Sequence, residues 1–208
     1  MSAPGFPGLI LAGGQSRRMG TDKTQERLAG RMLIEHVIAR LDPQVTRLWV
    51  NAPLDYAHSV GREIIPDTMA AHQGPLAGVL AGLRHLAKAA PAAPGLVTIA
   101  GDTPFLPLDL VTRLTAASRE GTIIALAAHK GRSHPLATYW PAALADDLEE
   151  WLSHHENRRV LSYIARHQHE TVEFPSHVSA IGDIDPFFNV NTRQDLAEAE
   201  TLARALGL

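Results

Sequence analysis

The 208-residue sequence contains no cysteine, which excludes disulfide bonds, thiolate metal sites and a cysteine nucleophile. It has no apolar run approaching the ~18 residues that a membrane-spanning helix needs. Its start lacks the basic segment and long apolar core of a secretory signal. We therefore expect a cytoplasmic protein that makes no contact with a membrane.

The sequence also lacks a strong net charge. Its 22 acidic residues outnumber its 19 lysines and arginines by only three, so its overall field does not indicate a nucleic-acid partner. Hydrophobic residues make up 45% of the chain and charged residues 20%, as in ordinary globular proteins. This length and composition predict one domain that spans residues 1–208.

Positive charge is concentrated near the start of the chain, around a glycine-rich stretch. Residues 9–23 read LILAGGQSRRMGTDK, an apolar strand followed by glycines and cationic side chains. Glycines allow backbone N–H groups to approach a ligand, and arginine or lysine neutralises an oxyanion. The candidate phosphate-binding residues are Gly13, Gly14, Arg17, Arg18, Gly20 and Lys23.

The spacing within this stretch excludes two common phosphate-binding loops. Lys23 lies three residues beyond Gly20, whereas a Walker loop places lysine directly after its last glycine, and the dinucleotide pattern Gly-x-Gly-x-x-Gly is absent. A glycine-rich turn with solvated charges is the alternative interpretation.

Strand-like and helix-like segments alternate along the chain. A continuous apolar run at residues 96–100 is typical of a strand that is covered on both faces. Apolar spacing predicts a helix over residues 28–41, Pro75 is placed to open another, and Thr192 with Asp195 forms a capping box that starts the last one. This pattern predicts an α/β fold with a parallel, helix-covered sheet.

In such a sheet, ligands bind beyond the carboxyl ends of the strands. The predicted strand ends bring Gly13, Asn51, Asp67 and Asp102 to that edge. A carboxylate such as Asp102, beside a triphosphate, is a common ligand of Mg²⁺. The alternatives are a helix cap for Asp102 and turn chemistry for Asn51 and Asp67.

Three glycines and two asparagines form further candidate sites. Gly74, Gly78 and Gly82 are spaced four apart, so on one helical face they open a groove or allow close helix packing. Asn189 and Asn191 precede the last helix and are either ligand contacts or a helix-start turn. The eleven histidines do not form a convincing zinc set.

These motifs together resemble one family. Leu-Ala-Gly-Gly-x-x-x-Arg-Met-Gly-x-x-Lys, Asp102-Thr103-Pro104, the glycine motif at residues 74–83 and Asn189-x-Asn191-Thr192 are similar to motifs of the molybdenum cofactor guanylyltransferases, which are nucleotidyltransferases. The resemblance covers the chain from Leu9 to Asp195. It implies a three-layer αβα sandwich, a Rossmann-like nucleotidyltransferase fold with a mostly parallel, mixed central sheet.

The resemblance also implies the activity and the role of each candidate. GMP is transferred from GTP to the terminal phosphate of molybdenum-molybdopterin, with Mg²⁺ as cofactor and with transient contact to a molybdoenzyme or its chaperone. The implied nucleotide contacts are Leu11, Ala12, Gly13, Gly14, Gly20, Lys23, Asn51, Asp67 and Asp102. Catalysis rests on Arg17, Arg18, Lys23 and Asp102, with the metal on Asp102. The implied acceptor contacts are Gly74, Gly78, Gly82, Asn189 and Asn191.

Two other functions use the same residues. One is cytidylyl or uridylyl transfer to a phosphorylated pterin, sugar or isoprenoid acceptor, which the choice of base distinguishes. The other is a nucleotide-binding partner protein with a degenerate site. The presence of both Lys23 and Asp102 argues against a degenerate site.

Overall fold

The computed structural model describes residues 5–13, 24, 26–54, 56, 61–69, 74–155 and 157–208. Within these residues, the strands are β1 (Gly8–Leu11), β2 (Arg27–Leu28), β3 (Arg31–Met32), β4 (Leu48–Asn51), β5 (Glu63–Ile65), β6 (Gly95–Ala100), β7 (Ile124–His129), β8 (Arg132–Pro141), β9 (His169–Glu173), β10 (His177–Ser179) and β11 (Gly182–Ile184). The α-helices are α1 (Leu33–Leu41), α2 (Pro75–Ala89), α3 (Leu110–Ala117), α4 (Ala145–His154), α5 (Val160–Ile164) and α6 (Arg193–Ala205).

Seven of these strands form one sheet, in the order β5-β4-β1-β6-β8-β7-β9. The strands β5, β4, β1 and β6 are parallel to one another, and β7 is parallel to β9. Only β8, among the strands of this sheet, runs antiparallel to its neighbours. The predicted mostly parallel, mixed sheet is therefore confirmed.

Helices cover both faces of the sheet because its central strands are apolar on both sides. In β1, Leu9 and Leu11 face α2, α4 and α5, and Ile10 faces α1 and α3. Alternation of side chains along a strand produces this division. The molecule is thus the predicted three-layer αβα sandwich, and α6 packs on a third apolar cluster that includes Leu28 and Phe105.

The predicted first helix is wrong at its start. Leu28 fits the helical spacing, but it lies in β2, and the helix begins at Leu33. Ala29 and Gly30 form the turn between β2 and β3, with φ angles of 49° and 80°. Because this turn needs the left-handed conformation, which favours glycine, the helix cannot extend through it.

The second half of the chain contains elements that the sequence pattern did not indicate. The hairpin of β10 and β11 was not predicted. The sequence at residues 157–167 looks helical, but α5 spans only Val160–Ile164. Residues 134–139 have the pattern of a strand, and they lie in β8. None of the described helices combines the length and apolarity needed to cross a membrane.

Candidate functional site

The strand register brings the predicted site residues to one edge of the sheet. Leu11 of β1 is paired with Asn51 of β4 on one side and with Ala100 of β6 on the other. Asn51 is in turn paired with Ile65 of β5. These four residues form a row across four parallel strands, so the segments that follow them leave the sheet together. They carry Gly13, Asp67 and Asp102 to the same edge as Asn51.

Asn51 connects the ends of three strands. Its carbonyl oxygen accepts hydrogen bonds from the N–H groups of Ala12 and Gly13, at 2.9 and 3.0 Å. Its side-chain Nδ2 donates to the Ile65 carbonyl at 3.0 Å and to Asp67 Oδ1 at 2.8 Å. The N–H groups of Ala12 and Gly13, whose main chain was expected to contact the nucleotide, are therefore directed to Asn51.

Asp102 is buried directly after β6, with a relative exposure of 2%. Asn189 Nδ2 donates to Asp102 Oδ1 at 3.2 Å, and the N–H of Val190 donates to the Asp102 carbonyl at 3.0 Å. Thr103 Oγ1 donates to Asn189 Oδ1, also at 3.2 Å. The structure thus brings the Asp-Thr-Pro and Asn-x-Asn-Thr motifs into direct contact, although Asp102 and Asn189 are 87 residues apart in the sequence.

Asn191 lies at the start of α6, beside this contact. Its N–H donates to Asp195 Oδ2 at 2.8 Å, and its Nδ2 donates to the Asn189 carbonyl at 3.5 Å. Asp195 completes the predicted capping box with Thr192. Asn191 therefore lies in the helix-start turn, and the same turn holds Asn189 against the Asp102 carboxylate.

The three spaced glycines do not open a groove. Gly74 precedes α2 with a φ of 70° and is not part of its helical face. An added Cβ at Gly78 would lie 2.8 Å from Asn51 Cγ, and one at Gly82 would lie 2.5 Å from Leu9 Cδ2. Close packing of α2 on the sheet occupies the space that an acceptor would need, so the groove predicted at Gly78 and Gly82 is wrong.

Five predicted residues, Gly14, Arg17, Arg18, Gly20 and Lys23, lie outside the described residues. The residue on each side of this segment is described. Gly13 donates to Asn51, and Thr24 is buried beside Gly101, whose added Cβ would lie 3.2 Å from Thr24 Cγ2. Both anchor points of the segment therefore lie at the carboxyl edge.

Three residues that were not among the predicted site residues contribute to this edge. Thr24 is hydrogen-bonded to the Tyr56 hydroxyl at 2.6 Å, and Thr103 fixes Asn189. His134 stacks on Phe187 with ring centroids 4.6 Å apart, and Phe187 lies two residues before Asn189. Burial lowers the pKa of His134 and so favours its neutral ring. Thr103 could have been found from the Asp-Thr-Pro motif, but no sequence signal pairs Thr24 with Tyr56.

The donor set at Asp102 is compatible with a magnesium ion. Its carboxylate supplies the hard oxygen ligand that Mg²⁺ prefers, and Asn189 orients that carboxylate. No group of three or more His, Cys, Asp or Glu suited to a metal occurs among the residues that the structure describes. An ion here would therefore take its other ligands from substrate phosphates and water, as Mg²⁺ commonly does.

The architecture is that of known nucleotidyltransferases. The chain is similar to a molybdopterin-guanine dinucleotide biosynthesis protein A from Archaeoglobus fulgidus, with a TM-score of 0.73 and 23% identity over 96% of this chain and 99% of the other. It is also similar to a 2-C-methyl-D-erythritol 4-phosphate cytidylyltransferase from Thermus thermophilus, with a TM-score of 0.66 and 17% identity over 94% and 98% of the two chains. These similarities define the class of fold as that of the nucleotidyltransferases.

Sequence comparison defines the family within that class. Residues 8–172 match the MobA-like NTP transferase domain. The chain is 47% identical to a molybdenum cofactor guanylyltransferase from Rhizobium meliloti over 196 residues, which are 93% of this chain and 90% of that protein. The chain therefore belongs to the molybdenum cofactor guanylyltransferase family, which has the MobA-like domain. Membership indicates a nucleoside triphosphate substrate and a divalent metal ion.

Proposed function

We propose that this chain transfers GMP from GTP to the terminal phosphate of molybdenum-molybdopterin and releases pyrophosphate. The observation that carries the proposal is the contact between Asp102 and Asn189, because it joins the predicted metal ligand to a predicted acceptor residue. The sequence similarity to guanylyltransferases supports the choice of reactants. The product is the guanine dinucleotide form of the cofactor.

The reaction is an in-line displacement at the α-phosphorus of GTP. An oxygen of the acceptor's terminal phosphate forms the new bond, and the bond from the α-phosphorus to the bridging oxygen of pyrophosphate breaks. The attacking phosphate is already ionised, so no general base is needed. Catalysis is then positioning and charge neutralisation.

In this proposal the cationic side chains of the glycine-rich segment neutralise the triphosphate. Lys23 contacts its phosphates together with Arg17 or Arg18. The N–H groups of Ala12 and Gly13 donate to the Asn51 carbonyl, so in this proposal they do not bind the phosphates. Asp102 would hold a Mg²⁺ ion, which would neutralise charge on the phosphate oxygens.

The remaining predicted properties belong to the same proposal. The chain acts as one domain in the cytoplasm, with GTP and molybdopterin as its small-molecule substrates. It contacts a molybdoenzyme or its chaperone transiently, when the product is delivered. In this proposal Asn189 and Asn191 contact the acceptor, together with Gly74, which precedes α2.

The reaction itself is the test. Purified protein is incubated with Mg²⁺, molybdenum-molybdopterin and GTP, and pyrophosphate and the dinucleotide product are quantified. Parallel reactions contain CTP, UTP or ATP. Among the four nucleotides, we expect product only in the reaction with GTP. We expect the Lys23→Ala variant to fold normally and to form no product. Preference for CTP or UTP would favour the cytidylyl or uridylyl alternative, and no release of pyrophosphate above background would favour a partner protein without activity.

A further inference from the structure

Thr103 is a buried residue of the site to which the proposed mechanism gives no role. It follows Asp102 directly, it is 2% exposed, and the proline after it favours an extended backbone at position 103. Its Oγ1 donates to Asn189 Oδ1 at 3.2 Å. Because an amide oxygen can only accept, the hydroxyl of Thr103 is the donor of this bond.

The side-chain amide of Asn189 is thus held at both of its ends. Its Nδ2 donates to Asp102 Oδ1 at 3.2 Å, and its Oδ1 accepts from Thr103. An amide turned by half a rotation would bring two acceptor oxygens together at Asp102, so both contacts favour the observed orientation. The NH₂ group has two hydrogens, and donation to Asp102 is therefore compatible with a direct contact between Asn189 and the acceptor.

Separate hydrogen bonds fix the main chain around Asn189. The N–H of Val190 donates to the Asp102 carbonyl at 3.0 Å, and the N–H of Asn191 donates to Asp195 Oδ2 at 2.8 Å. Neither bond involves the side chain of Thr103. Loss of the Thr103 hydroxyl would therefore leave the turn in place and allow the Asn189 amide to rotate about χ2, a torsion with broad preferences.

We propose that Thr103 is a positioning residue whose hydroxyl fixes the Asn189 amide, which in turn orients the Asp102 carboxylate for a divalent metal ion. The inference rests on the proposed function, in which Asp102 binds the metal beside GTP. Removal of a residue that hydrogen-bonds to a metal ligand typically weakens metal binding about ten- to a hundredfold. Thr103 is one bond further from the metal, so we expect a smaller effect that depends on Asn189.

Two substitutions of Thr103 and one control separate this role from a loss of stability. Thr103→Val replaces the hydroxyl with a methyl group of similar size, and Thr103→Ser retains the hydroxyl. Thr138→Val is the control, because Thr138 is also buried and its Oγ1 donates to the Pro135 carbonyl at 3.0 Å. Both valine variants lose the hydrogen bond of a buried hydroxyl, but only Thr103→Val releases the Asn189 amide.

The first experiment measures the Kd of GTP by calorimetry, once with Mn²⁺ and once with EDTA in place of the metal. The factor by which Mn²⁺ tightens GTP binding is compared among the wild type and the three variants, and circular dichroism gives their unfolding midpoints. We expect Thr103→Val to lower this factor about fivefold and Thr103→Ser and Thr138→Val to change it less than about twofold. An unchanged factor in Thr103→Val, or an equal loss in Thr138→Val, would overturn the positioning role.

The second experiment tests whether Thr103 acts through Asn189. The same factor is measured for Asn189→Ala and for the double variant with Thr103→Val. If Thr103 acts through Asn189, Thr103→Val lowers the factor about fivefold in the wild type but less than about twofold in the Asn189→Ala background. Losses that multiply in the double variant would mean that Thr103 acts by another route, which would overturn the inference.

These measurements need no molybdopterin, so their outcome is distinct from that of the transfer reaction. If Mn²⁺ does not tighten GTP binding by the wild type, the metal-binding role of Asp102 is overturned and this inference with it. If Mn²⁺ tightens binding and the variants behave as expected, but no product forms from GTP, the proposed GMP transfer is overturned and the positioning role of Thr103 is retained.

Discussion

At the scale of single residues, the Asp102 carboxylate is the side chain on which the proposed chemistry depends. It is buried, it follows the central strand β6, and Asn189 orients one of its oxygens. A buried carboxylate that serves as a metal ligand needs such an orienting hydrogen bond. Removal of the residue that hydrogen-bonds to a metal ligand typically weakens metal binding. Its contribution is therefore expected in catalysis rather than in folding.

Asp102→Asn keeps the shape of the side chain and an oxygen that can accept from Asn189. We expect turnover to fall at least about a hundredfold, because a neutral amide binds Mg²⁺ far more weakly than a carboxylate. The measurement is pyrophosphate release, with circular dichroism to establish the fold. Asp109→Asn, an exposed carboxylate that precedes α3, is the control and should retain wild-type turnover. An active Asp102→Asn variant would contradict the metal-binding role.

His134 predicts a dependence of stability on pH. Burial lowers its pKa below the ordinary value of 6.5, so the unfolded chain takes up the proton first as the pH falls. The stabilisation by neutral His134 is complete above pH ~6.5 and is lost as the pH decreases from there through the folded-state pKa. His134→Phe keeps the ring beside Phe187 but cannot be protonated.

We therefore expect the urea midpoint of His134→Phe to fall less between pH 7.5 and pH 5 than that of the wild type. The control is His154→Phe at an exposed histidine of α4, which should retain the wild-type dependence. Identical pH profiles for the wild type and His134→Phe would show that His134 contributes nothing to the pH dependence of stability.

The sequence predicted which residues reach the edge but not how they are bonded there. Parallel strands in register carry their following residues to the same side, so Asn51, Asp67 and Asp102 could be located from strand ends alone. The two hydrogen bonds of the Asn51 amide depend on the distance between β4 and β5. That distance is a property of the folded sheet, and the local sequence does not predict it.

At the scale of elements, the cap at the start of α6 both stabilises the helix and holds a residue of the candidate site. Thr192 Oγ1 accepts from the N–H of Asp195 at 3.1 Å, and Asp195 Oδ2 accepts from the N–H groups of Thr192 and Asn191 at 2.9 and 2.8 Å. The cap thus fixes the turn that presents Asn189. The capping box was predicted correctly because its signal lies within four consecutive residues.

Thr192→Ala removes the side-chain cap, and we expect the free energy of unfolding to fall by about 1 kcal/mol. Chemical denaturation measures this loss. Thr201→Ala within the same helix is the comparison, since Thr201 Oγ1 donates to the Ala197 carbonyl at 3.4 Å and removal of this bond should cost less. A smaller loss for Thr192→Ala than for Thr201→Ala would contradict the capping role.

Other elements could not be predicted because local signals competed. Leu28 has both the spacing of a helix residue and a position next to the Ala29-Gly30 turn, and the turn prevails because its left-handed backbone stops a helix. The hairpin of β10 and β11 has few apolar residues, with Val178 and Ile181 exposed. Its alternation therefore gave no strand signal.

At the scale of the whole molecule, the continuous seven-stranded sheet predicts one cooperative unfolding transition. Trp49 lies in β4 and Trp140 in β8, on opposite sides of β1. In a variant that retains only Trp49, and in one that retains only Trp140, the unfolding midpoint by fluorescence should equal the midpoint of that same variant by circular dichroism, as a single domain requires. A fluorescence midpoint that differs from the circular dichroism midpoint in either variant would contradict the single-domain prediction.

The family was predictable because its motifs are spread over the chain and are jointly specific. The fold followed from the alternation of strands and helices, which α/β proteins share. The antiparallel direction of β8 did not follow, because an apolar run such as that around Tyr139 and Trp140 specifies burial but not polarity.

The contact between Asp102 and Asn189 has a consequence for the time at which a newly made chain becomes active. The ribosome releases β1, β4, β5 and β6 in that order, so Asp102 can take its place in the sheet early. Its partner is synthesised 87 residues later. In the proposed mechanism a nascent chain thus has the predicted nucleotide side of its site before the predicted acceptor side, and guanylyl transfer has to wait until translation has passed Asn191.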